Sequence, residues 1–208
     1  MLLADEFFLI AHDDAKGRSR LHPSATGLGL AAGLLGELLL ARQIVIDAGV
    51  VTVVDRRPPH DALAHTVLDQ LVGEPEHRSV RTWLLFLGNS AAESVGERLA
   101  RAGTVRREEA RRLLRTTVVY RPADMNAAAW PATRLRAALG RAEPPPLADV
   151  LLLALLAATN LLREALWGIE PGVRQRLDQL VDGLPPPMRE LARHTEAAVG
   201  AAVLSGRP

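Results

Sequence analysis

From Pro23 to about Arg42 the chain is almost wholly apolar, with Glu37 as its one acid and glycines at 29, 33 and 36. Leucine and alanine, both strong helix formers, fill most of the remainder, and Pro23 suits a helical first turn. The segment therefore predicts one long helix. Small residues spaced four and three apart share a face and let another helix approach closely, so a central, crowded position is expected. A carboxylate in such surroundings must find a partner or shift its pKa. For Glu37 the expected partner is an arginine. The segment's stretch from Gly27 to Ala41 is also apolar enough to raise the question of a membrane span, as is Val150–Thr159. Glu37 argues against the first, and the second is only about half of the ~20 residues a span needs. Both read as buried core helices.

Other elements arrange themselves around this helix. Residues 3–12 predict a first helix with Asp5 and Glu6 in its opening turn, where the helix dipole favours acids. Asp13 to Gly17 then breaks it with turn chemistry. After the long helix come Ile44–Ile46 and Val50–Val54, two β-branched runs around Asp47-Ala48-Gly49, which predict a β-hairpin. Leu63, Val67, Leu68 and Leu71 share one helical face, as do Val80, Trp83, Leu84 and Leu87. Ser90-Ala91-Ala92-Glu93 has the form of a capping box, opening a helix with Val95 and Leu99 inward and Arg98 and Arg101 outward. Arg115–Tyr120 predicts a strand that pairs in part with Thr104-Val105 as a second hairpin within 104–121, and the charged run from Arg106 to Arg112 suits either a helical turn or the hairpin tip. Helices follow over Met125–Leu139, after Leu147, from Pro171 to Gly183, and from the Pro185–Pro187 cluster through Val203.

These elements make a mainly α fold, a compact helical domain with one or two β-hairpins, one of them protruding. At 208 residues the chain fits a single domain, 1–208. Aromatic residues are only 3% of the chain, which further favours helix over sheet. The absence of cysteine excludes disulfides, thiolate metal sites and a cysteine nucleophile. A net charge of +1 supplies no global field toward nucleic acid or anionic lipid, so any such attraction must be local. The opening Met1–Glu6 lacks the basic region of a signal peptide.

Catalytic signatures are missing. His60 and His65 are five apart with Asp61 between them, but a zinc helix wants i, i+4 spacing and a third ligand, and neither HExxH nor a cysteine partner exists, so no metal or cofactor is expected. His12-Asp13-Asp14 reads as a polar helix end. Gly27-x-Gly29 lacks the preceding strand that a dinucleotide loop requires. No nucleophile elbow, phosphate loop or kinase signature occurs. The expectation is a protein that is not an enzyme. One stretch stands out: 106–121 places six arginines, Arg106, Arg107, Arg111, Arg112, Arg115 and Arg121, around Leu113, Leu114, Val118, Val119 and Tyr120. Such a hairpin suits a membrane surface, a second subunit, or a winged-helix wing on DNA, against a plain solvated edge.

The stretch L-x-x-D-E-x-x-L-I-A-x-D-D-x-x-G, followed by G-L-x-x-x-x-L-L-x-E-L-x-L-x-x-x-I-x-I-D, runs without a gap from Leu3 to Asp47. It resembles the Golgi phosphoprotein 3 family, and Val95 to Val105 and the leucine-rich helix near Leu151–Leu166 continue the likeness in order. The chain looks like a bacterial relative. The resemblance implies a mostly helical fold with a protruding apolar hairpin, here 104–121. It also implies a non-enzymatic adaptor bound peripherally to phosphatidylinositol 4-phosphate. Eukaryotic members hold that head group with a tryptophan, an arginine and two further basic residues. The corresponding positions here are His22, Ala31, Glu93 and Gly96, none of which matches, and an acid at 93 would repel phosphate. Lys16, Arg18, Arg20 and His22, in the adjoining loop, are the candidates for a relocated head-group contact. Arg106, Arg107, Arg111, Arg112, Leu113, Leu114, Arg115, Val118, Tyr120 and Arg121 are the candidates for membrane contact or self-association. The expectation is thus a cytoplasmic peripheral membrane or adaptor protein at the inner face of the membrane. Its alternatives are a winged-helix-like nucleic-acid binder, which the near-zero net charge disfavours, and a purely protein-binding scaffold.

Overall fold

The computed structural model describes residues 1–112, 115–141, 143–165 and 171–205. The chain order is α1 (Leu3–Ala11), α2 (Pro23–Leu40), β1 (Ile44–Asp47), β2 (Val50–Val53), α3 (Ala62–Gly73), α4 (Val80–Gly88) and α5 (Ala91–Arg101). Next come β3 (Val105–Arg112), β4 (Arg115–Pro122), α6 (Met125–Leu139), α7 (Leu147–Ala158), α8 (Leu162–Ala165), α9 (Pro171–Asp182) and α10 (Pro186–Ser205). The architecture is mainly α with two separate antiparallel hairpins, β1–β2 and β3–β4.

The long apolar segment is the central helix. Every residue of α2 from Ala25 to Leu39 is buried, and α1, α4, α5, α7 and α10 pack around it. A helix apolar on all sides belongs inside a core, and this one does. Its glycines are where neighbours come closest. A Cβ built on Gly29 would lie 2.1 Å from the Phe7 ring, and one on Gly33 would lie 2.9 Å from Cα of Ala4. The small-residue face is thus the seat of α1. The helix is long and apolar enough to cross a membrane, yet 83% of that window is buried inside the protein.

The first hairpin forms in the expected place, with Ile44 opposite Val53 and Asp47 opposite Val50. Ala48 and Gly49 both take positive φ (48° and 75°), as a two-residue turn of this kind requires. Glu190 of α10 accepts hydrogen bonds from the N–H groups of Ala48 (3.2 Å) and Gly49 (2.8 Å), which ties the turn to the last helix.

Two arginines carry the charged part of the core. Arg98 is only 8% exposed, so the expectation that it faces outward on α5 is corrected. Its guanidinium donates to Asp5 (2.8 Å), to both oxygens of Glu37 (2.9 and 3.0 Å) and to Asp61 (2.8 Å). Helical periodicity sorts residues by polarity and sends arginine to solvent. Here three acids from α1, α2 and the start of α3 draw it inward instead. The partner expected for Glu37 is this arginine, and Glu37 also accepts from the N–H of Ala4 at 2.8 Å. Burial raises the carboxyls of Asp5 and Glu37 above their ordinary range, and the Arg98 charge opposes that rise. Beside it, Arg134 of α6 forks onto both oxygens of Glu6 (2.8 and 2.7 Å) and onto Asp149 (2.7 Å). Asp5 and Glu6 therefore serve as anchors for two arginines, beyond any dipole effect. A second correction concerns α5: Ser90 makes no side-chain bond to the helix, and its backbone (φ −120°, ψ −7°) is not the extended form a capping residue adopts. The helix still begins at Ala91.

His12, at the end of α1, stacks on Phe8 with ring centroids 4.0 Å apart, and its Nδ1 lies 2.7 Å from the Phe8 carbonyl. Burial holds its pKa below the ordinary 6.5, outweighing the Phe8 carbonyl and the Asp13 charge, which both act to raise it. The unfolded chain therefore takes up this proton at a higher pH than the folded one does. The stability His12 contributes is complete above pH 6.5 and is lost as pH falls from 6.5 through the folded value. The slope is at most about 1.4 kcal/mol per pH unit for one proton. Urea midpoints measured at pH 7.5 and 5.5 are expected to fall further for the natural protein than for His12→Gln. An equal fall in both would show that His12 titrates alike in the two states.

Candidate functional site

The loop between α1 and α2 is built around one carboxylate. Asp13 accepts hydrogen bonds from the N–H groups of Ala15 (3.1 Å), Lys16 and Arg18 (3.0 Å). Slight burial would raise its carboxyl, but these three donors hold it below the usual range. The backbone N–H groups are thus turned inward onto Asp13, and the side chains of Lys16 and Arg18 are left outward. Both residues are exposed, and among the described residues neither has a carboxylate partner. Arg20 is partly committed, to Asp14 at 3.3 Å and to the His12 carbonyl at 3.2 Å. His22 is exposed at the start of α2, where its Nδ1 accepts weakly from the Ser24 N–H at 3.4 Å. Gly17 sits in the left-handed region (φ +62°), and a Cβ there would lie 2.1 Å from the Tyr120 carbonyl oxygen and 3.2 Å from Cα of Arg121. Only glycine lets this loop rest against β4.

The second hairpin pairs Val105 with Pro122 and Arg112 with Arg115, so the charged run 106–112 is strand and not the helical turn or tip expected of it, because the β4 ladder extends along its whole length. Strand alternation puts Val105, Arg107, Glu109, Tyr120 and Val118 on one face, and Arg106, Glu108, Val119 and Arg121 on the other. Val105 and Tyr120 are buried and anchor the base of the hairpin in the core. The Tyr120 ring meets Phe8 edge-on (centroids 5.9 Å apart), and its hydroxyl donates to Glu97 at 3.0 Å. Val118 and Val119 are half-buried. Arg107 pairs with Glu97 (3.0 Å) and Glu109 (3.3 Å), and Arg121 with Glu108 (3.0 Å). Arg106 is exposed and, among the described residues, has no carboxylate partner. The backbone of Arg111, Arg112 and Arg115 continues the ladder, whereas Leu113 and Leu114 lie outside the described residues.

Of the ten hairpin candidates, then, Tyr120 belongs to the core, Arg107 and Arg121 are in ion pairs, and Arg106 is exposed, without a carboxylate partner among the described residues. Glu97, which serves both Tyr120 and Arg107, gives no signal in the sequence, because a glutamate on an amphipathic helix reads as solvated. The four positions of the implied lipid pocket are dispersed in character. Ala31 is fully buried, Glu93 and His22 are exposed, and a Cβ on Gly96 would stand 2.5 Å from the Tyr120 ring.

A cleft of about 390 Å³ opens beside the loop, floored by Leu9, Ile10 and Ala132 and edged by Asp14, Arg20 and Thr133. Its edge mixes both signs of charge, and it joins the cationic loop to α6. Among the described residues no cluster of three His, Asp or Glu is arranged to hold a metal. His65 instead faces Asp69 at 3.4 Å. The acids whose carboxyls burial raises, Asp5, Glu37 and Asp149, are held by Arg98 and Arg134 in salt bridges that join helices.

Charge is unevenly shared over this surface. Residues 105–122 carry six arginines against two glutamates, a net +4, in a chain whose total is +1. The loop 13–22 adds Lys16, Arg18 and Arg20 against Asp13 and Asp14. What this edge can do chemically is attract anions by field and by exposed donors. A family model described as Golgi phosphoprotein 3 (GPP34) matches residues 3–199 of the chain. A search of curated proteins returned no match.

Proposed function

This chain belongs to the Golgi phosphoprotein 3 family, and from that premise we propose that it is a non-catalytic scaffold that binds peripherally to anionic membranes at the cytoplasmic leaflet. Lys16, Arg18 and Arg106 face the lipid head groups, and the protein side remains open to a partner. One observation carries this reading: Gly17 rests on the backbone of Tyr120 and Arg121, which joins the cationic loop to the cationic hairpin as one surface. Neither segment alone has more than a local charge excess; together they concentrate it while the rest of the chain is net negative. Recognition is by charge density, since His22, Ala31, Glu93 and Gly96 offer no set of phosphate donors. Each Lys or Arg held near an anionic leaflet contributes about 1 kcal/mol, and the attraction fades within a Debye length.

Flotation with neutral phosphatidylcholine vesicles and with vesicles containing phosphatidylglycerol tests the proposal. Flotation is expected only with the anionic vesicles, declining as salt rises. The triple variant Lys16→Glu, Arg18→Glu, Arg106→Glu is expected to bind on the order of a hundredfold more weakly, at about 1 kcal/mol per cation lost. Equal flotation with both vesicle types, or none with either, would overturn it.

A further inference from the structure

Helix α6 presents an unusual outer side. Its solvent-facing positions are Asn126, Ala127, Trp130, Thr133, Arg136 and Ala137, and no acidic residue occurs anywhere in the helix. Surface helices ordinarily carry charges of both signs there. Met125 and Trp130 stand out from it, 62% and 58% exposed, although Trp83 is buried in the core. Met125 and Trp130, five residues apart, stand at the two sides of this exposed surface, and among the described residues neither is packed into the core.

The position of this side is informative. Only Ala123 and Asp124 separate Met125 from the end of β4, and Ala123 donates to the Thr104 carbonyl at 2.9 Å, at the base of the hairpin. Ala129 and Thr133, which lie to one side of Trp130 on the helix, line the same cleft as Arg20 of the cationic loop. The apolar side chains of α6 are therefore continuous with the basic edge formed by the loop and the hairpin.

On the reading that this edge meets an anionic membrane, we infer that α6 is a second membrane contact, with Trp130 and Met125 seated at the lipid interface. Charge complementarity selects the occupant. The neighbouring cations bring the surface to anionic head groups, and α6 has no carboxylate to be repelled by them. Indole is the side chain best suited to the boundary between head groups and acyl chains, and methionine adapts to an irregular surface. The hairpin and loop supply attraction; α6 supplies the apolar hold that salt does not screen.

Tryptophan emission of the full chain, recorded with phosphatidylglycerol vesicles bearing brominated acyl chains, tests this directly. The emission is expected to shift to the blue and to be quenched. Trp130→Phe, which retains Trp83 and Trp167, is expected to lose that quenched component. Trp130→Ala should keep the melting temperature and partition roughly three- to tenfold more weakly, as expected on withdrawing a partly buried apolar ring. If the natural chain floats with anionic vesicles but it and Trp130→Phe are quenched alike, the membrane contact lies elsewhere; this inference then fails and the reading above stands. If the chain floats with no vesicle, both fall.

Discussion

Arg98→Ala is expected to destabilise the protein by about 3–5 kcal/mol, the range found when one partner of a buried ion pair is removed. The variant would leave Asp5 and Glu37 facing each other in a buried space, solvated among the described residues by the Ala4 and Leu2 N–H groups alone. Against a total stability of roughly 5–15 kcal/mol this is a large fraction. In a chain of this size it lowers the melting temperature by roughly 6–20 °C. Asp61→Asn makes an informative control. The Asp61 side chain is 24% exposed and also caps α3 through the Ala64 N–H at 2.8 Å, a bond that asparagine can keep. Its loss should cost under about 1 kcal/mol, as for a partly exposed pair. Chemical denaturation of both variants decides the matter. An Arg98→Ala variant within about 1 kcal/mol of the natural protein would mean that the three acids are held apart by packing alone.

The second large effect is expected at Gly27. A Cβ there would stand 2.3 Å from the Gly88 carbonyl oxygen and 3.1 Å from its carbon, both backbone atoms of α4. No side chain can swing aside to make room, so α2 and α4 must separate. Overpacking of this kind typically costs about 1–3 kcal/mol, and more where backbone has to move. The reverse substitution behaves differently. A Cβ on Gly88 would meet Gly27 and Leu28 only at 3.4–3.5 Å, which is ordinary contact. Gly88→Ala is therefore expected to be neutral or to stabilise by about 0.4–1 kcal/mol, because alanine restricts the unfolded chain. Denaturation midpoints of the two variants should differ in sign relative to the natural protein. A Gly27→Ala variant as stable as Gly88→Ala would contradict the helix crossing described above.

Gly27 also shows how legible the fold is in the chain. Glycines at 29, 33 and 36 announce a close neighbour for α2, and the neighbour is α1. That Gly27 instead receives α4 depends on which helix arrives at that height, and no local pattern holds this information. The hairpins are legible for a different reason. β-branched runs around Ala48-Gly49 and over Thr116–Val119 state their period within a few residues, whereas the charged run 106–112 states none and becomes a strand only through its partner. Capping is less secure, as Ser90 shows: its side chain has the right type, but its backbone turns another way.

The candidate surface was only partly readable. Six arginines in one short stretch are visible to any reader of the chain. The pairing of Arg107 with Glu97 and Glu109, and of Arg121 with Glu108, reduces that charge, and the cationic loop restores it from nearly a hundred residues away. Trp130 attracts no notice in a list of residues, because an isolated aromatic on a helix is more often core.

The helical class, the central apolar helix, the first hairpin and the return strand of the second are written in the chain, since these rest on propensity and periodicity within one segment. Tertiary structure alone decided that Arg98 turns inward to Asp5, Glu37 and Asp61, and that Lys16 and Arg18 lie beside the Arg-rich hairpin. Both depend on groups distant in the chain meeting in space, where a charge is placed by the partners that can desolvate with it and not by its own polarity.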